Sequence, residues 1–289
     1  MRQRKTINIA IRWVIALFLM FFAVFPVIYA LSASFNPSDS LATQKLIPTN
    51  ASFDNYVQLM SPDSASYRVF PYWTWYLNSL KIASITTILS LSITTLAAYA
   101  FSRFRFRGRQ NMLKGILLIQ IFPGILAIVA IFTLISQIGD IFPRFGLNTH
   151  AGLILVYMGG AMGINIWLMK GFFDSIPRDI DESAMVDGAS HWQIFTKLLL
   201  PLMQPILIVI GILTFIGTYG DFLLARVLLK STDQYTVMVG LQIFTAGQFS
   251  QKWGQFTAGA IVAALPIMII YLLLQDKIVG GLTQGAVKG

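Results

Sequence analysis

The chain has 289 residues, of which 56% are hydrophobic and only 11% charged, with a mean hydropathy of +0.69 and a formal charge of +9. Soluble domains carry about 25% charged residues; one soluble core of this size cannot hide so much apolar surface, so water is not the main solvent, and disorder or a collagen-like chain is excluded as well. The absence of cysteine removes disulfide scaffolds, thiol catalysis and the usual structural zinc sites, and with only His150, His191 and a single glutamate, Glu182, most hydrolytic and metal chemistry lacks its residues.

At about 20 residues per crossing, the apolar stretches predict six membrane helices: Trp13–Leu31, Leu77–Phe101, Leu113–Ile135, Leu153–Met169, Leu202–Phe222 and Phe256–Leu274. The first has a basic start and small residues at Ala30, Ser32 and Ala33, as a cleaved signal peptide would. Its apolar run is longer than a typical signal core, and cleavage would remove much of the charge asymmetry, so it reads as a retained helix. A polar loop, Ser32–Tyr76, follows and ends in Tyr72, Trp73, Trp75 and Tyr76. That cluster reads as an interfacial aromatic belt, with a sugar-stacking surface as the alternative. Ser84, Thr86, Thr87, Ser90 and Ser92 in the second stretch suit close helix packing. Arg103, Arg105, Arg107 and Arg109 then alternate with Phe104, Phe106 and Gly108. Directly against two membrane helices, this run reads as a topology anchor rather than a nucleic-acid strip. Pro26, Pro123, Pro205 and Pro266 predict kinks, and a second long outer loop spans Gly220–Gln255.

Fourteen of the lysines and arginines fall on one side of this topology and seven on the other. By the positive-inside rule both termini are cytoplasmic. The basic residues lie in short runs with no continuous face, which argues for a lipid membrane and against a nucleic-acid partner. Asp140 and Asp221 fall near the outer ends of helices three and five, where ordinary surface roles are expected rather than a proton path.

The informative segment is 174–201, on the cytoplasmic side between helices four and five. Pro177 opens a short helix whose first turn carries Asp179, Asp181 and Glu182 against the positive end of the helix dipole. Gly188 supplies the left-handed residue that ends it. Ser190 caps a second helix, with Gln193 three residues on as in a capping box, and Pro201 marks the junction with helix five. Ile180, Ala184 and Met185 share one face of the first helix, and Trp192, Phe195 and Leu199 one face of the second. Acidic groups and an aromatic edge on a rigid element suit docking to a partner; a capped connecting loop without a partner is the plain alternative.

The spacing favours a partner. Glu182-Ser183-Ala184, Gly188 and the ending Leu198, Leu200 and Pro201 resemble the EAA loop of permease subunits in binding-protein-dependent ABC importers. That pattern runs Glu-Ala-Ala, three variable positions, Gly, nine variable positions and an aliphatic-x-Leu-Pro ending. Ser183 departs from it by one small-for-small exchange. Tyr76-Leu77-Asn78-Ser79-Leu80, Ala98–Arg103 and the tail Gly281–Gly289 look like the smaller permease subunit of carbohydrate importers. Gly146–His150 and Ile166–Gly171 are similar to the maltose/maltodextrin system.

The resemblance implies an all-α polytopic membrane protein with the six-helix type I importer permease fold, in a prokaryotic inner membrane. It implies an N-terminal part, 1–76, holding the first helix and an external loop. A five-helix core, 77–289, carries the coupling loop 174–201 and a cytoplasmic tail 275–289. A second, larger permease subunit would complete the pore and make most sugar contacts, so no substrate-binding residue is assigned here. An ATPase homodimer would receive Glu182, Ser183, Ala184, Asp187, Gly188, Trp192, Phe195 and Pro201 in a cleft, and Gln284, Gly285 and Lys288 of the tail would reach between its subunits. An extracytoplasmic sugar-binding protein would deliver the sugar. No cofactor is expected on this chain: it has no Gly-Lys-Ser or Gly-Lys-Thr, hence no P-loop, and ATP with Mg belongs to the partner. A secondary sugar transporter would need intramembrane ionisable groups and internal repeats, whereas the stretches hold almost no such groups and show no obvious repeat; a non-transporting scaffold would leave the acidic loop unexplained.

Overall fold

The computed structural model describes residues 2–37, 46–48, 50–246 and 251–286, except for the side chains of 2–8, 10 and 276–286. Every regular element among the described residues is helical, as expected where no water can satisfy the backbone of an open strand. In chain order the α-helices are α1 (Arg2–Ser34), α2 (Asp54–Met60), α3 (Ala65–Val69), α4 (Tyr72–Arg103), α5 (Arg109–Ile121), α6 (Ile128–Ile141) and α7 (His150–Ser175). They continue as α8 (Asp179–Val186), α9 (His191–Gln193), α10 (Leu200–Leu202), α11 (Gln204–Tyr219), α12 (Leu223–Leu228), α13 (Val237–Ile243) and α14 (Trp253–Ala286). Among the described residues, five helices are long and apolar enough to cross a membrane. A sixth crossing is added if the bent pair His191–Leu202 and Gln204–Tyr219 counts as one.

Two expected stretches change shape. Leu113–Ile135 is broken: α5 stops at Ile121, Phe122 is extended, and a 3-10 turn at Gly124–Ala127 leads into α6. Pro123 is the cause, since it disfavours helical geometry in the preceding residue and donates no hydrogen bond. The last stretch is longer than Phe256–Leu274, because α14 carries its helical backbone on to Ala286.

The chain divides into two compact units. The first joins Met1–Trp73 to Val239–Leu265. Within it, Asn55 is buried and its Nδ2 donates to Ser34 O at 3.0 Å and Asn36 O at 2.8 Å, satisfying carbonyls that the end of α1 leaves open. Gln255 accepts from Ser66 Oγ at 2.9 Å and donates to Gln58 Oε1 at 2.7 Å. Within Ile11–Ser34 the most apolar stretch of α1 is left bare by the described chain, with only Ser32–Ser34 at its end buried, so lipid or another subunit must cover it.

The second unit comprises Thr74–Met238 and Pro266–Gly289. At the start of α4, Trp75 Nε1 donates to Thr232 O at 2.7 Å, Asn78 Nδ2 to Asp233 O at 2.8 Å, and Ser79 Oγ accepts from Val237 N at 2.8 Å. These bonds correct the reading of the aromatic cluster. Trp75 is fully buried, as is Tyr72 in the first unit, where its hydroxyl donates to Gly259 O at 2.7 Å. Neither residue is a belt facing lipid or a sugar platform.

At the amino-terminal end of α7, Gly139 and Gly146 meet backbone to backbone: a Cβ on Gly139 would lie 2.7 Å from the Gly146 Cα. Asn148, the one non-glycine at positive φ among the described residues (58°), accepts at Oδ1 from Lys230 N at 2.8 Å and Ser231 N at 2.9 Å. Thr149 then caps α7 by accepting from Gly152 N.

Candidate functional site

The segment between α7 and α11 is built on the ends of two long helices. Beyond Ser175 the chain leaves the helix at Ile176, and α8 begins with Asp179, Asp181 and Glu182 in its first turn. These three acids do not all face outward. Asp181 turns in, buried, and its Oδ2 lies 2.5 Å from Nε of Arg103, the last residue of α4. Arg103 Nη2 also donates to Ile176 O at 3.1 Å, and Arg178 Nη2 donates to Ser102 O at 3.0 Å. Ser102 Oγ donates to Asp174 Oδ1 at 2.6 Å, while Asp174 Oδ2 pairs with Lys170 one turn earlier on α7. The carboxyl end of α4, that of α7 and the start of α8 are thus fastened by one polar network. The cations sit where helix carbonyls favour them.

The turn after α8 is a Schellman motif, with Ala189 N donating to Ala184 O at 2.9 Å and Gly188 N to Met185 O at 3.0 Å. Gly188 has φ of +83°, and a Cβ there would meet nothing within 4 Å. Its glycine therefore answers a backbone need, with no crowding involved. Ser190 then forms the full capping box: it accepts from Gln193 N at 3.3 Å and donates its own N–H to Gln193 Oε1 at 2.8 Å. After α9 the chain makes a π-helical stretch, Ile194–Leu199, and α10. The run bends by 75° into α11, where Pro205 stands in the opening turn and its missing N–H costs little; Pro201 lies in α10, directly after the π-helical stretch.

The expected site residues separate into two groups. Glu182, Ser183, Asp187, Gly188, Trp192 and Pro201 are exposed, Trp192 to 63% of its surface. Ala184 packs against a buried cluster that includes Tyr99, Phe173, Ile194, Phe195 and Leu199. Phe195 is only 4% exposed, with its ring 4.9 Å from Tyr99 and 5.5 Å from Trp192, so it supports the exposed edge from beneath. Gln284 and Gly285 fall in the helical backbone of α14 with their side chains outside the description, and Lys288 lies outside the described residues.

Two functional features escaped the sequence reading. Asp181 and Arg103 are 78 positions apart with no shared period, and only the first-turn cluster on α8 hinted at a partner for one of its acids. Asp221 lacks the ordinary surface role expected of it. It is half-buried and accepts at Oδ1 from the Tyr157 hydroxyl at 2.7 Å and from Ala225 N at 3.1 Å.

Residues 90–283, which contain the whole of this segment, match the family described as binding-protein-dependent transport system inner membrane component. The chain belongs to that family and is the permease component of a binding-protein-dependent ABC importer. It is 42% identical over 272 residues to the maltose/maltodextrin transport system permease protein MalG of Vibrio vulnificus (strain YJ016), covering 92% of this chain and 91% of that one. It is 39% identical over 289 residues to the galactooligosaccharides transport system permease protein GanQ of Bacillus subtilis (strain 168), covering 100% and 99%. The fold matches a chain in the crystal structure of a bacterial ABC transporter involved in the import of the acidic polysaccharide alginate, with a TM-score of 0.79 over 96% of this chain and 98% of that one. At 24% identity that likeness is one of fold alone.

Proposed function

We propose that this chain is the smaller permease subunit of an ATP-driven sugar importer, with maltose or maltodextrin as its sugar. In this reading it forms half of the translocation pathway beside a larger permease, has both termini in the cytoplasm, and receives sugar from an extracytoplasmic binding protein. Residues 174–201 dock on a separate ATPase pair, with Glu182, Asp187 and Trp192 on the contact face; the tail residues Gln284, Gly285 and Lys288 make a second contact.

The observation that carries this reading is a rigid, doubly capped element that presents acid and an exposed Trp192 while its root is tied into α4 and α7. A loop serving only as a connection has no need of such a root. When ATP closes the ATPase pair, a docked α8 moves as a body, and the Arg103–Asp181 tie passes that motion to α4. The helices are then biased between inward- and outward-open states. The names of the relatives MalG and GanQ differ in their sugar; the MalG relatives at 40–42% identity support the maltose side, with GanQ beside them at 39% over the whole chain.

Affinity purification of the tagged chain from membranes tests this. The expected result is recovery with a second permease and an ATPase pair; recovery of the chain alone, from membranes that hold those subunits, contradicts it.

A further inference from the structure

The turn between α4 and α5 carries a basic cluster outside the segment 174–201. From Phe104 to Phe106 the backbone has no regular structure, and Gly108, at φ of +85°, turns the chain into α5. Both phenyl rings fold back on the protein. Phe104 lies edge-on to Tyr99 and to His191, each at 5.4 Å, and Phe106 lies 5.6 Å from Phe101. Arg105 and Arg107 are left exposed. An open cleft of about 490 Å³ sits at this turn, lined by Arg105, Phe106, Gly108, Arg109, Gln110 and Asn111, and every charge on its wall is positive.

These cations lack carboxylate partners. Among the described residues Arg105 and Arg107 form no ion pair, and Arg109 donates only to Phe104 O at 3.5 Å. The acids of the neighbouring network are taken, Asp181 by Arg103 and Asp174 by Lys170 and Ser102. Three guanidinium groups crowded at one turn repel one another, and a counter-charge relieves that cost. The turn directly follows Arg103, the last residue of a helix long and apolar enough to cross a membrane, which sets it at the depth of the headgroups. Phe104 and Phe106 stay 38% and 41% exposed, so open apolar surface lies beside the charge. A soluble anion meets only the charge. A phospholipid meets both, its phosphate held by the arginine forks and its acyl chains by the rings.

We propose that the α4–α5 turn binds the headgroup of an anionic phospholipid, such as phosphatidylglycerol, through Arg105, Arg107 and Arg109. The lipid would sit against Phe104, whose ring meets His191 at the start of α9, so the headgroup layer is linked to the segment 174–201. The proposal requires that α4 crosses a membrane and is independent of which sugar is carried.

The test uses the full chain purified with its partner subunits in detergent micelles. The complex is given equal amounts of phosphatidylglycerol and phosphatidylcholine with the same acyl chains, and native mass spectrometry counts the lipids retained. The wild type should prefer phosphatidylglycerol. Arg105→Gln/Arg107→Gln should lower that preference about twenty-five-fold, at about fivefold for each cation removed near the surface. Arg105→Lys/Arg107→Lys should keep most of it. Arg12→Gln/Arg144→Gln removes the same charge from exposed positions outside the turn and should leave it unchanged. Raising the ionic strength should weaken wild-type retention, a check that needs no variant.

Equal retention of both lipids by the wild type overturns the proposal, and so does retention indifferent to salt. A preference that survives Arg105→Gln/Arg107→Gln, or falls equally in Arg12→Gln/Arg144→Gln, overturns it too. Glycerophosphoglycerol, the headgroup without its chains, should not displace the lipid at equal concentration; displacement would make this a site for soluble anions and overturn the lipid assignment. Loss of the ATPase subunits from Arg105→Gln/Arg107→Gln, with lipid retention intact, would overturn it in favour of a protein partner.

Discussion

Arg103 closes α4 and Asp181 opens α8, and their side chains meet at 2.5 Å although the two residues lie 78 positions apart. Both are buried, and Asp181 Oδ1 has no other partner among the described residues. The ion pair is therefore what compensates a charge held away from water, and removing one member leaves the other stranded.

Asp181→Ala or Arg103→Met should each lower stability by about 3 kcal/mol. The double variant Arg103→Met/Asp181→Leu should recover a large part, because neither charge is then left alone. A thermal-unfolding series on the purified complex reads this as a coupling between the two sites; strictly additive losses would show that the contact carries no energy.

Glu182, unlike Asp181, faces outward. Glu182→Lys should insert normally and keep the larger permease, yet lose the ATPase subunits on purification, since like charge at a desolvated contact costs several kcal/mol. Full retention, with normal stimulation of hydrolysis, would remove Glu182 from the contact.

At Gly188 the backbone alone sets the cost. Gly188→Val should strain the left-handed turn by about 1–2 kcal/mol and redirect α9, so that uptake falls while the binding protein still docks. Gly188→Asn should be milder, because asparagine tolerates that region better. Equal, wild-type uptake in both would mean that the aim of α9 does not matter for transport.

Asn148→Ala should leave the amides of Lys230 and Ser231 without their acceptor, a loss of about 1–3 kcal/mol. Asn148→Asp keeps an oxygen for both and should lose less. The midpoint of thermal unfolding distinguishes the two variants; identical midpoints would show that these bonds contribute little.

Local chemistry made much of this legible in the sequence. The Ser190/Gln193 spacing and Gly188 specify a capping box and a left-handed turn through bonds that span a few residues, and both are present. The apolar runs locate the long helices for the same reason. What stayed hidden depends on partners far along the chain. Tyr72 and Trp75 look like interfacial aromatics until Gly259 and Thr232 appear as their acceptors. Asp221 looks like a surface acid until Tyr157 supplies its hydroxyl. Pro123 was visible, but whether a proline kinks a helix or breaks it depends on neighbours the local sequence does not name.

The most direct test of the account is ATP-dependent uptake by the purified complex in proteoliposomes. The account predicts that labelled maltodextrin accumulates only when ATP, the partner ATPase and the loaded binding protein are all present, and that collapsing the proton gradient changes nothing. Accumulation by this chain alone, abolished by an uncoupler and indifferent to ATP, would contradict it.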